Sequence, residues 1–244
     1  MENKRITIKE IAKEAGVSTA TVSYVINGRT DQKISAVQKE KILEIAKKYH
    51  YNRNSVASAL VIGKYNLAVM CFPLTNCLFK QTDYYSAFCR LNRAFEKIGV
   101  GLFMSDDALE KTFEVDNIIC IGLDGASLKT IRENNGVPIS IIDSLNDCGK
   151  TFEDDYSSFK GEEKMISLPL TPSYEEYIRK HFDLTVAHSI LDIDAYFASS
   201  NNQKVYIRDS SLNSYCLQKG YKAIYLDSFS EEKVSKIVDY FRSK

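Results

Sequence analysis

The sequence predicts a small three-helix unit followed by an α/β body built on parallel sheets. Capped segments with helical apolar spacing between residues 7 and 49 predict the first part, and short apolar runs alternating with helix-period segments from residue 66 onward predict the second. Charge divides the chain in the same way. The 244 residues carry 32 basic and 32 acidic side chains, yet residues 1–64 hold nine Lys and three Arg against five Glu and one Asp. The net charge is therefore +6 there and −6 on the remaining 180 residues. A basic headpiece on an acidic body suits a phosphate-binding module attached to a domain that does not itself bind nucleic acid.

The first element lies in the stretch TIKEIAKEAGVSTATVSYVIN, residues 7–27. Thr7 stands three residues before Glu10, the spacing of a capping box, so the first helix begins at Ile8. Ile8, Ile11, Ala12 and Ala15 then recur at i, i+3, i+4 and i+7, which places them on one face. Gly16 ends the helix because glycine accepts the left-handed conformation of a C-terminal cap. Ser18 caps a second helix whose Val22, Val25 and Ile26 point inward, and Asn27-Gly28 stops it. Ser35 and Gln38 repeat the capping spacing before a third helix, with Val37, Ile42, Ile45, Ala46 and Tyr49 expected as its packing stripe. Helices this short need such packing to be stable in water.

Two capped helices joined by a glycine turn have helix-turn-helix geometry. Thr19, Ala20, Ser23, Tyr24 and Asn27 remain on the exposed face of the second helix, where small and hydrogen-bonding groups can approach base edges in a major groove. Further along, Val56, Ala57 and Leu60 have helical spacing, with the small neighbours Ser58 and Ala59 between them.

Residues 6–73 resemble the amino-terminal region of the lactose-repressor (LacI/GalR) family of bacterial transcription regulators. VSTATVSYVIN resembles the recognition helix of that family, HYNRNSVASAL its third-helix end and hinge, and NLAVMCF the first strand of its effector domain. The resemblance implies a headpiece at 1–52, a hinge helix and linker at 53–64, and a periplasmic-binding-protein-like effector and dimerisation domain at 65–244. It places Thr19, Ala20 and Tyr24 at base-reading positions, with specificity resting chiefly on Tyr24. Thr7, Ser18, Thr21, Ser23 and Asn27 match positions that touch the DNA backbone. The hinge adds Asn54, Ala57 and Leu60, and implies that Leu60 of each subunit wedges into the central minor groove of a palindromic operator.

The chain departs from the family pattern in its hinge region. The loop from Gly28 to Ile34 is about two residues longer, and Arg29 and Lys33 are expected to reach phosphate from it. Arg53 replaces the proline that precedes the hinge helix, Ser58 replaces a frequent arginine, and Val61-Ile62 makes the hinge exit more apolar.

In the body, strands are expected at 66–72, 100–104, 117–123, 138–143, 164–170, 195–199 and 222–227. Phe88, Leu91, Phe95 and Ile98 stripe a helix over 83–98, and Val234, Ile237, Val238 and Phe241 stripe another over 231–242. At 180 residues the body is short for the family. Crossover helices are missing or shortened at Ser105–Asp116 and at Tyr156–Glu163. The ligand signature is depleted too. The family's Asp-Arg pair reads Asp143-Ser144, its Asn-Asp pair reads Asn201-Asn202, and its next arginine is absent unless Arg179 replaces it. By resemblance the effector contacts are Phe79, Asp143, Asn201 and Asp227, and small-molecule control is expected to be altered or lost.

The remaining signals exclude more than they assign. Cys71, Cys77, Cys89, Cys120, Cys148 and Cys216 form no CxxC, so buried structural thiols are expected rather than a metal or redox centre. His181 and His188 are expected on a helix surface, and the glycines form neither a P-loop nor a GxGxxG, so neither a cofactor nor catalytic residues are assigned. The fifteen Tyr are taken as compositional. No signal peptide or membrane span is read, which fits a cytoplasmic location. The sequence thus points to a homodimeric repressor that binds double-stranded operator DNA, with an effector of unknown identity. The competing readings are an enzyme carrying a DNA tether and a body that only dimerises or docks another protein.

Overall fold

The computed structural model describes residues 6–26, 33–49, 51, 64–105, 113–199 and 203–244. The chain divides into two compact units, Met1–Gly63 and Lys64–Lys244.

The first unit contains α1 (Ile8–Ala15), α2 (Thr19–Ile26) and α3 (Ala36–Lys48). Its core is Ile11, Ala12, Ala15, Val22, Val25, Ile42 and Ile45. The predicted capping box is present: the Thr7 amide donates to Glu10 Oε2 at 2.7 Å, and the Glu10 amide donates to Thr7 Oγ1 at 3.4 Å. Gly16 has φ +73° and its amide bonds the Ala12 carbonyl, which turns the chain into α2. The stripe expected on α3 is only partly correct. Val37 is 77% exposed and Tyr49 41%, because Ile42 and Ile45 already fill the shallow groove that two eight-residue helices leave.

The second unit has two lobes, each with an all-parallel sheet. Lobe 1 is built from β1 (Leu67–Cys71), α4 (Leu78–Glu96), β2 (Gly101–Ser105), β3 (Asn117–Ile121), α5 (Gly125–Asn134), β4 (Ile139–Ile142) and β5 (Lys150–Thr151), with strand order β2-β1-β3-β4-β5. Lobe 2 is built from β6 (Lys164–Ser167), α6 (Pro172–Arg179), β7 (Asp183–Val186), α7 (Ile190–Ser199), β8 (Val205–Ile207), α8 (Ser210–Lys219) and β9 (Ala223–Tyr225), in the order β7-β6-β8-β9. The chain then returns to lobe 1 as α9 (Glu231–Arg242), whose Val234, Ile237 and Val238 join Leu91 and Phe95 of α4 on one face of the first sheet. Leu128 and Ile131 of α5 cover the other face. The buried strands β1 and β3 read as continuous apolar runs because helices or loops cover both faces.

The strand expected at 195–199 is the end of helix α7. Ser189 and Asp192 cap that helix reciprocally: the Ser189 amide donates to Asp192 Oδ2 at 2.9 Å and the Asp192 amide to Ser189 Oγ at 3.2 Å. The true strand is β8, three buried residues. The strands β5 and β7 were likewise not read, being short and flanked by polar residues.

Residues 155–163 contain no helix, in agreement with the shortened crossover. Aromatic side chains fill that place instead. Phe159 packs on Phe182 with ring centroids 4.4 Å apart and edge-on to Tyr206 at 5.1 Å, and Tyr156, Tyr174 and Ile178 complete the cluster against Met165. Several of the tyrosines therefore form a core layer. Cys71, Cys120 and Cys216 are buried as expected, whereas Cys77, Cys89 and Cys148 are half-buried. Among the described residues no helix is long and apolar enough to cross a membrane.

Replacing Phe182, which is 2% exposed, with Ala is expected to destabilise the body by about 3 kcal/mol. Val37→Ala, at an exposed position, should change stability by about 0.5 kcal/mol or less. Urea unfolding followed by tyrosine fluorescence and far-ultraviolet dichroism measures both.

Candidate functional site

Two surfaces concentrate functional side chains, one in each unit. In the first, Ser18 is the N-cap of α2: its Oγ accepts from the Thr21 amide at 3.1 Å and lies 2.9 Å from Thr21 Oγ1. Thr7, Ser18, Thr19 and Ala20 are exposed, and Thr21, Ser23 and Tyr24 are half-buried. Val22 and Val25 face the core, so the periodicity of α2 leaves Thr19, Ala20, Ser23 and Tyr24 on its other side. The free amides at the start of α2 add the positive end of its dipole. Behind this surface, Lys48 of α3 pairs with Glu14 of α1 at 3.0 Å.

In the second unit the carboxyl ends of β1, β3, β4 and β6 border an interlobe cleft, the usual ligand position in open parallel sheets. A pocket of about 310 Å³ there is lined by Thr75, Lys80, Gly122, Asp143 and Thr171, among others. The seam behind it is occupied by ion pairs. Arg208, directly after β8 and 0% exposed, donates from Nη2 to Asp143 Oδ1 at 2.6 Å and from Nη1 to Asp143 Oδ2 at 3.2 Å. Nη2 also reaches Asp154 Oδ2 at 3.3 Å, and the guanidinium lies 5.2 Å from the centre of the Tyr174 ring. Asp154 is held in turn by Lys233 of α9 and by the Tyr174 hydroxyl at 3.0 Å. Asp143 adopts left-handed backbone with φ +57°, which costs a non-glycine residue about 1 kcal/mol and is sustained by its pairing.

A second set of contacts crosses the seam from α4. Lys80 Nζ lies 3.3 Å from Asp209 Oδ1, and Asp209 Oδ2 accepts from Ser167 Oγ and the Leu168 amide, each at 2.9 Å. Asp83 caps α8 from outside, accepting from Ser210 Oγ at 2.8 Å and from the Ser211 amide and hydroxyl at 2.9 Å. Burial, followed by the nearby Asp209 carboxylate, raises the Asp83 pKa. Burial would raise that of Asp143 as well, but the charge and hydrogen bonds of Arg208 outweigh it and lower the value to about 2.

Comparison with known proteins bears first on the helical unit. Residues 7–54 match the sequence profile described as bacterial regulatory proteins, lacI family. That match lies within the amino-terminal unit. Across 131 residues the chain is 32% identical to the sucrose operon repressor of Klebsiella pneumoniae, a match covering 51% of this chain and 37% of that protein. Across 152 residues it is 33% identical to catabolite control protein A of Staphylococcus aureus strain MRSA252, covering 56% and 43%. The chain thus spans about two fifths of these curated relatives in the matches. A solved lac repressor bound to ONPG in the repressed state is 14% identical, with a TM-score of 0.61 over 98% of this chain and 93% of that one. The lac repressor dimer bound to operator and the anti-inducer ONPF gives a TM-score of 0.57 over 98% and 94%, also at 14% identity. At that identity the two structures establish a shared fold.

Of the effector positions suggested by the lacI-family resemblance, Asp143 and Asp227 border one small cavity and Phe79 lies apart from it. Asp143 is in the cleft, engaged by Arg208. Phe79 is half-buried and edge-on to Tyr215 at 5.7 Å, in the contact between α4 and α8. Asp227 pairs with Arg90 at 2.6 Å and accepts from the Tyr225 hydroxyl at 3.1 Å. Asn201 lies outside the described residues, as do Asn27, Arg29, Asn54, Ala57 and Leu60. Arg179 does not replace the missing arginine: its Nη1 donates to the Leu184 carbonyl at 2.8 Å. The arginine of the cleft is Arg208, because the strand that precedes it is Val205–Ile207 and not the expected 195–199. Its signal was available in VYIRDS, where an arginine and an aspartate directly follow a short apolar run. Lys80, Asp154 and Lys233 carried no comparable local signal.

The Asp143 pairing gives a signed pH dependence. A carboxyl with a lowered folded-state pKa contributes stability above its unfolded value, and that contribution is lost as pH falls from about 4 toward the folded value. The thermal stability of the full chain is therefore expected to fall as pH drops from about 4 to about 2. Asp143→Asn should be less stable at neutral pH and show a flatter acid limb; an unchanged limb would refute the assignment. Asp83, shifted upward, contributes with the opposite sign, so the difference between the two proteins isolates Asp143.

Proposed function

We propose that the protein is a sequence-specific DNA-binding transcription regulator, a repressor that binds a palindromic operator as a homodimer. The observation that carries this reading is the capped α1–turn–α2 unit with its exposed polar face, within the stretch that matches the lacI family. In this reading α2 enters the major groove, with Thr19, Ala20 and Tyr24 toward base edges and Thr7, Ser18, Thr21, Ser23 and Asn27 toward phosphates. Arg29 adds a phosphate contact, while Asn54, Ala57 and Leu60 engage the minor groove at the centre of the site. The relatives named above are called a repressor and a control protein, and one solved relative is described as a dimer on its operator, which supports a regulator over an enzyme.

The body supplies the second copy in this proposal. Leu78 and Tyr85 on α4, Met104 on β2 and Leu217 on α8 are exposed apolar side chains on elements that pack side by side. A matching surface on another copy would bury them. Effector control is altered or lost, because the charged groups around the cleft are already partnered within the chain.

Selection of bound sites from a random DNA pool is expected to return a palindrome with a deformable central step. Tyr24→Ala should change the preferred base at one position of each half-site, at a cost of about 1–3 kcal/mol. Lys33→Ala should weaken all sequences alike and reduce the salt slope by about 1. A pool that yields no enriched palindrome, or a monomeric full chain by light scattering, would overturn the reading.

A further inference from the structure

We propose that Arg208 is a built-in ligand of the interlobe cleft, keeping the two lobes closed with no small molecule bound. Its guanidinium projects from the end of β8 in lobe 2 and engages both carboxylate oxygens of Asp143 at the end of β4 in lobe 1. That is the two-point contact an external polar ligand would make with one lobe while held by the other. Asp154, in the first connection between the lobes, takes a further bond from Nη2 and is itself fixed by Lys233 of α9. The tie therefore reaches both lobes, the first crossover and the helix that follows the second.

Three features argue for a tie rather than an incidental ion pair. Arg208 has no exposed surface, so the cation is fully withdrawn from water, and its Nε has no partner among the described residues. A buried ion pair with an unsatisfied donor is a poor route to stability, since apolar residues of the same size would serve as well. What it does supply is a fixed geometry between the groups it joins. The gap bordered by Lys80, Asp83, Asp143 and Asp209 holds only about 20 Å³, so the pocket of about 310 Å³ at the cleft mouth does not extend through this part of the seam. The other charged groups of the seam are consumed in parallel ties, Lys80 with Asp209 and Asp83 with the start of α8.

Closure encoded in the chain means that the body has no open state for an effector to select. This deepens the reading of lost effector control but does not depend on DNA binding, because the test reads the body directly. Hydrogen exchange is followed in the full chain at the crossover segments 152–156 and 226–229. In the wild-type protein these amides should exchange slowly, and addition of glucose, sucrose or glucose 6-phosphate should leave them unchanged. Arg208→Ala should raise their exchange about tenfold or more. Millimolar methylguanidinium should restore protection by occupying the vacated place, whereas methylammonium, which lacks the two-point geometry, should not. A folded Arg208→Ala protein with wild-type exchange would overturn the proposal. So would wild-type crossovers that exchange rapidly, or that respond to one of the sugars. If Arg208→Ala does not fold, Arg208→Lys keeps the charge without the fork and should show an intermediate rise; wild-type protection in that variant would equally refute the tie. If neither variant folds, the wild-type measurements decide alone. Failure of operator selection would leave these outcomes unaffected.

Discussion

The arrangement of the body depends on the contact between the Arg208 guanidinium and the Asp143 carboxylate. Each lobe has its own parallel sheet and its own apolar clusters, with Phe79 and Tyr215 in contact across the seam, and hydrophobic burial is non-directional. The angle and distance between them must come from directional contacts. The planar fork of arginine is suited to this, since two parallel hydrogen bonds set orientation as well as separation. Around that fork, Asp154 ties in the first crossover and Lys233 ties in α9, so a single buried cation organises several segments far apart in sequence.

The shortened crossover explains why these ties sit beside so many aromatic rings. Where the crossover helix is missing, Tyr156 and Phe159 pack with Tyr174 and Tyr177 of α6 and with Phe182 against the second sheet. Their hydroxyls also serve the charges: those of Tyr156 and Tyr174 both donate to Asp154 Oδ2. Apolar ring faces and polar edges in one residue type allow a core layer to border an ionic seam and donate hydrogen bonds to it. The return of α9 to the first lobe has a similar effect, since it covers the sheet on one side and presents Lys233 on the other.

In the helical unit the determinants are local. The Thr7–Glu10 box, the left-handed Gly16 and the Ser18 cap each lie within a few residues of the element they start or stop. The unit has its own core, separate from the lobes, so its polar α2 face is built without any contribution from the body. An exposed polar face on α2 and a body tied across its seam by ion pairs can therefore coexist in one chain, each satisfying its own packing requirements.

The helix boundaries at Ile8 and at Glu231–Arg242, the strand runs β1 and β3, and the absence of a crossover helix before β6 were legible in the amino-acid order. Caps, glycine conformations and apolar periods act over a few residues, and a few residues are what a sequence displays. The strand at β8 was missed because three buried residues are too few to show a period, and α7 was misread because its Ala-Tyr-Phe-Ala run suits either structure until its cap is seen. The partnership of Asp143 with a residue 65 positions later, and of Asp154 with one 79 positions later, has no local signature at all. Sequence by itself determined which segments become helices and strands and which face of α2 stays polar. Only the tertiary structure decided that the two lobes would be tied by buried ion pairs, because pairing between buried charges depends on how two sheets are brought together and not on the spacing of residues along the chain.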